Sequence, residues 1–204
     1  MGNPLELLAL GTLAFVATNV DGLLVLMVFF ADAEFAPIQI AAGQLVAAAL
    51  WVGISVAASA AAVTVPTQWL ALLGVIPIGL GLAKLKVARA GSASLAEELE
   101  QVEADKRRSL RRTHSRVGAV ALVALANGGD NIAVYIALFS TSTPERIAWF
   151  AALFLGLAAG WCALAYSLVH HTWLGMRIEQ YGERVLPVVL IGLGLYILAK
   201  GLAG

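Results

Sequence analysis

Charge is scarce in this chain. Asp, Glu, Lys and Arg make up 13% of its 204 residues, against 60% hydrophobic residues and a mean hydropathy of +0.86. A soluble domain carries about a quarter charged residues. A globule of this composition would lack the polar surface to cover itself, so lipid is its natural solvent. A single cysteine, Cys162, excludes an intrachain disulfide and dithiol redox chemistry within the chain. The phosphate-binding pattern G-x-x-x-x-G-K-[ST] is missing, as are H-E-x-x-H and G-x-S-x-G. No enzyme activity, no cofactor and no nucleic-acid partner is therefore expected. Met1–Glu6 lacks the positive n-region of a signal peptide, and the apolar stretch after it is long enough to span.

A span needs about 20 mostly apolar residues. Six stretches qualify: Leu5–Phe30, Ile38–Val63, Trp69–Leu85, Val117–Phe139, Ile147–Leu168 and Val185–Leu202. The connectors are short and carry turn chemistry around Pro37, Pro66 and Pro144; only Lys86–Arg116 is long. Of the 13 Lys and Arg residues, all but Arg146 and Lys200 flank or lie in that connector or in the one between spans five and six. The positive-inside rule places the long loop in the cytoplasm of a multi-pass cell-membrane protein and both termini outside. Within the loop, Ser94 and Glu97 form a capping-box pattern, acidic residues fill the first half, and Lys106–Arg112 fill the second. That order predicts a solvated linker helix.

The third span contains Ile78-Gly79-Leu80-Gly81-Leu82 and the sixth contains Ile191-Gly192-Leu193-Gly194-Leu195. The first and fourth also correspond, through Ala17-Thr18-Asn19-Val20-Asp21 and Ala126-Asn127-Gly128-Gly129-Asp130. The Asp-to-motif spacing is 57 residues in one half and 61 in the other. An odd number of spans per half makes the halves cross in opposite directions, a recurrent plan of secondary transporters. The expected fold is all-α: a polytopic membrane protein of six transmembrane helices in two inverted three-helix repeats. Residues 1–204 then form one transporter domain, with repeat one at about 5–86, the linker at about 87–116 and repeat two at about 117–204.

Asp21 and Asp130 fall near the centres of spans one and four. An aspartate at that depth costs about 2.5–3.5 kcal/mol on insertion scales, so it needs a partner, a cavity or a proton. Lys84 and Lys200 are expected to snorkel to the interface, which leaves no basic residue at matching depth. A bound cation would satisfy both carboxylates. On a continuous helix Asn127, Asp130 and Asn131 share one face, as do Thr18 and Asp21; Gly128 and Gly129 thin the same turn and would permit close approach or local unwinding. Asn19 would point about 200° away from Asp21, so either the helix breaks near Asn19–Gly22, the favoured reading, or Asn19 serves a different contact. Small residues in span two, among them Ala47, Ala48 and Ala57, permit close packing within a chain or between copies in a homo-oligomer.

The run Ala17-Thr18-Asn19-Val20-Asp21-Gly22-Leu23-Leu24 resembles the first-helix signature of the CadD-type cadmium-resistance transporters of the lysine-exporter superfamily. Asn127-Gly128-Gly129-Asp130-Asn131 and Ile76-Pro77-Ile78-Gly79-Leu80-Gly81 are similar to that family's motifs too. The resemblance implies an exporter of divalent heavy metals, with cadmium the reference substrate and Asp21 and Asp130 the conducting carboxylates. Asn19, Asn127 and Asn131 would assist, with Thr18 beside them. In the family pattern a second acidic residue follows the first Asp; here that position is Gly22. Carboxylates and amides suit harder ions such as manganese better than soft cadmium. The alternative is an exporter of a small organic solute, such as an amino acid or organic cation. Membrane lipid and divalent metal ions are the expected partners.

Overall fold

The computed structural model describes residues 4–61, 72–90, 93–170 and 187–199. Among them there are helices and no strands. The helices are α1 (Pro4–Phe30), α2 (Pro37–Ala61), α3 (Val75–Ala90, entered through a 3-10 turn at Leu72–Gly74), α4 (Ala93–Thr113), α5 (Arg116–Asn127), α6 (Gly129–Ser140), α7 (Pro144–His170) and α8 (Pro187–Ala199). α1, α2 and α7 are each long and apolar enough to cross a membrane. α5 and α6 meet that test together, as one stretch bent by 63°. The beginning of the third expected span and both ends of the sixth lie outside the described residues, as do Lys200 and His171.

Proline and short polar residues set the helix starts. Pro4, Pro37 and Pro144 each occupy the first helical position, where a missing N–H costs no hydrogen bond. α4 ends on His114, whose φ of 51° is left-handed and whose N–H donates to the Leu110 carbonyl at 3.3 Å. Ser115 then caps α5 by accepting from the Gly118 N–H at 3.2 Å. The linker helix thus forms where expected. It is not fully solvated, however: Val102, Lys106 and Ser109 are buried on one face. Lys106 Nζ reaches Asp32 at 3.1 Å and Glu103 at 2.9 Å, so α4 docks beside the α1–α2 connector.

α1 packs on α7, and α2 packs on α5, α6 and α7. A column of rings fills the centre: Tyr135, Phe139, Phe150 and Phe154 stack, with Tyr135 and Phe154 centroids 4.2 Å apart. Leu13, Val46, Leu50, Ile54 and Leu195 face outwards despite being apolar, the inverse of a soluble surface.

The closest backbone approaches come in reciprocal pairs. A Cβ on Gly74 would lie 2.6 Å from the Gly194 carbonyl oxygen, and one on Gly194 would collide with the Gly74 carbonyl. Gly81 meets the Pro187 carbonyl oxygen in the same way, at 2.7 Å. α3 and α8 therefore cross antiparallel on their repeated motifs, and residues 113 positions apart exchange places across the contact. Gly11 on α1 likewise closes on Phe150 of α7, and Gly43 on α2 on Val120 of α5.

Candidate functional site

The break that shapes the site falls in the fourth apolar stretch. α5 stops at Asn127, and α6 restarts at Gly129, where the Ile132 N–H returns to the Gly128 carbonyl at 3.2 Å. The indole of Trp51 fills the space in which a side chain on residue 128 would stand. Glycine is what lets α2 come so close. The bend begins a new helix at Gly129 and puts Asp130 in its first turn. There the helix dipole favours an anion, and the Asn131 N–H donates to Asp130 Oδ1 at 3.0 Å.

Lys84 on α3 joins the two carboxylates. Its Nζ forms a close ion pair with Asp21 Oδ2 and lies 3.4 Å from Asp130 Oδ2. One ammonium thus spans both carboxylates, on helices whose sequences correspond. Asp130 is the more enclosed, with 12% of its side chain exposed against 38% for Asp21.

Beside this triad a neutral network ties α1 to α6. The Thr18 hydroxyl donates to Asn131 Oδ1 at 2.6 Å, and Asn19 Nδ2 donates to the same oxygen at 2.6 Å and to the Phe15 carbonyl at 2.9 Å. The Tyr135 hydroxyl stands 3.4 Å from Asn19 Nδ2, and Trp161 donates its indole N–H to the Asn19 carbonyl at 2.8 Å. Thr18, Asn19 and Asn131 are all buried. Asn19 Oδ1 is buried with no hydrogen-bond donor among the described residues. An acceptor left in that state costs about 1–3 kcal/mol unless something polar meets it.

These positions revise several expectations. Lys84 does not simply snorkel, and the aspartates do have a basic partner at their depth: the four-carbon stem turns inward from α3. Ile197, which stands after the second Ile-Gly-Leu-Gly-Leu motif where Lys84 stands after the first, is fully buried. That mismatch between the two motif-bearing stretches was the available signal. α1 runs unbroken through Asn19–Gly22; the break is at Gly128 instead, where Trp51 needs the room. It separates Asn127, exposed at the end of α5, from Asp130 and Asn131 on α6, so the three do not share one helix face. Asn19 turns from Asp21 towards Asn131. Trp161 carried no motif that singled it out, and Tyr135 ends the Asn127–Tyr135 run that resembles the family, with nothing there to mark its hydroxyl.

Among the described residues no three His, Cys, Asp or Glu side chains gather as a metal cage. Cys162 is buried among apolar neighbours. A cleft of about 460 Å³ opens at the far ends of α2 and α6 and the start of α7, lined by Val56, Ser59, Ser140 and Pro144, away from Asp21 and Asp130. What the site offers chemically is two carboxylates that converge on one positive charge, with amide oxygens beside them.

The family model for cadmium resistance transporters matches residues 15–202. The chain belongs to that family. All of Thr18, Asn19, Asp21, Lys84, Asp130 and Asn131 fall inside the span matched to the cadmium resistance transporters. No curated protein and no solved structure matches the chain.

Proposed function

We propose that this family member is a secondary transporter that exports divalent heavy-metal cations, cadmium-like, with zinc or manganese as further substrates. The observation that carries this reading is the convergence of Asp21 and Asp130, from sequence-related helices, on a single cationic atom. Two carboxylates carry the charge needed to neutralise one divalent ion. Asn19 Oδ1 is a spare buried oxygen on the same helix as Asp21. Oxygen donors without a thiolate bind soft ions weakly, which suits an exporter that must let its cargo go.

Alternating access of two inverted three-span repeats is the accompanying mechanism. Its support is the reciprocal contact of Gly74 with Gly194 and of Gly81 with Pro187, as a two-fold axis between α3 and α8 would produce. In this scheme the spans are α1, α2, the stretch ending in α3, the bent pair α5–α6, α7 and the stretch containing α8. The loop bearing α4 is cytoplasmic in the cell membrane and both termini lie outside. Without a phosphate-binding loop, the energy comes from an ion gradient or the membrane potential.

A second reading keeps the site and changes the cargo. The atom bridging the carboxylates is an alkyl ammonium, so an amino acid or organic cation presenting such a group would fit the same place. A panel in cells decides between them. Expression should lower accumulated cadmium, zinc or manganese relative to empty vector, and Asp21→Asn and Asp130→Asn should each abolish the effect. Metal content equal to the vector control for every ion, with rescue from an organic amine, would replace the metal reading by the organic one.

A further inference from the structure

We propose that Lys84 is a tethered occupant of the cation site: its ammonium holds the two carboxylates when no substrate is bound, and a divalent ion enters by displacing it. This rests on the metal reading of the site and assigns to it a residue that sets selectivity.

Charge supplies the reason. Asp21 and Asp130 with Lys84 between them sum to one negative charge. A divalent ion that displaces the ammonium brings the pair to neutrality, the favourable state for charge enclosed in a bundle. A divalent ion that entered while Lys84 stayed would leave a net positive charge. A monovalent ion that displaced Lys84 would leave the charge of the pair unchanged, while competing with a group already anchored there. A tethered competitor returns without the translational cost that a free ion meets. The arrangement therefore favours divalent over monovalent cations by electrostatics, without a rigid cage.

The displaced ammonium has somewhere to go. Lys84 stands in the C-terminal half of α3 and keeps 22% of its side chain exposed, so its flexible stem has an open path along which to swing towards the polar interface. Ile197 stands at the corresponding place after the second motif, so only one of the two motif-bearing stretches carries the tether.

The test uses the purified chain in liposomes, with cadmium and manganese fluxes measured with and without 100 mM potassium chloride for wild type, Lys84→Met and Lys84→Arg. Removing the tether should lower the KM for the divalent ion, by about fivefold if the competition is worth roughly 1 kcal/mol, and should make transport sensitive to potassium. Arginine, which grips two carboxylates more firmly, should raise KM instead. A purely structural ion pair would shift both variants the same way. A second measurement needs no variant: limited acetylation of wild type with acetic anhydride, read by peptide mass spectrometry. Saturating cadmium should raise modification of Lys84 several-fold while Lys86 stays constant.

A KM raised in Lys84→Met would overturn the proposal while leaving the metal reading intact. So would Lys84 labelling indifferent to a metal that is transported. Failure of the wild type to move any divalent metal would overturn both.

Discussion

Substituting alanine for each glycine of the repeated Ile-Gly-Leu-Gly-Leu motif should split the four positions into two classes. Gly79 and Gly192 have nothing within 4 Å of a Cβ, whereas a Cβ on Gly81 or Gly194 would meet backbone of the facing helix. At the open positions alanine relieves the entropic cost of a helical glycine, a gain of up to about 1 kcal/mol. At the closed positions the obstacles are backbone atoms of a packed helix together with the Cγ1 of Ile191 or Ile78, a β-branched side chain that is stiff at that point. Overpacking of that kind costs about 1–3 kcal/mol. The classes should therefore differ by roughly 2–4 kcal/mol once the propensity gain at the open positions is added. At about 2–4 °C per kcal/mol for a chain of this size, Gly194→Ala should melt at least several degrees below Gly192→Ala, and Gly81→Ala below Gly79→Ala. Thermal unfolding of purified protein in one detergent, followed by size-exclusion chromatography, gives the comparison directly. Equal midpoints for Gly192→Ala and Gly194→Ala would refute the α3–α8 crossing.

Three further outcomes follow from particular contacts. Gly128→Ala should cost about 1–3 kcal/mol, because the new methyl overlaps the Trp51 indole; Gly129→Ala, which meets nothing, should not, and the same thermal assay compares them. Asn131→Ala should destabilise more than Thr18→Val, since it removes the acceptor that Thr18 and Asn19 share, while the valine variant gives up only the Thr18 bond to it, worth about 1 kcal/mol. The Glu34 N–H, and then Lys106 and Arg116, hold the Asp32 carboxyl below its ordinary value against the opposing effect of burial. The stability this contributes is complete above the unfolded value of about 3.9 and is lost as pH falls through the lower folded one. Below pH 4 the wild type should therefore lose thermal stability more steeply than Asp32→Asn, and parallel curves would count against the contact.

Hydropathy and turn chemistry located most of the helices because both act locally. Pro37 and Pro144, which the sequence offers as turn residues between spans, stand at the first position of α2 and α7, and the acidic-to-basic order of the linker foretold α4. The aspartates stood out because a carboxylate in an apolar run is costly wherever it points. Lys84 did not, since a lysine near the end of a span can snorkel outwards or reach inwards, and the rotation of α3 decides which. Asn19–Gly22 and Asn127–Gly129 each offered glycine and asparagine for a break. The choice between them came from Trp51 on another helix, a partner 77 positions from Gly128. Asn127 was lost from the expected cluster for the same reason: its helical neighbourhood with Asp130 assumed a continuity that α2 interrupts.

Trp161 gives the molecule an optical property of its own. Its indole N–H is bound to the Asn19 carbonyl, and its ring stands edge-on to Phe15, 5.6 Å between centroids. Indole emission responds to the loss of such a bond. Any rearrangement of α1 at Asn19 is therefore coupled to the fluorescence of one of the chain's five tryptophans. The residue that anchors the back of the candidate site doubles as a dye-free reporter of its state.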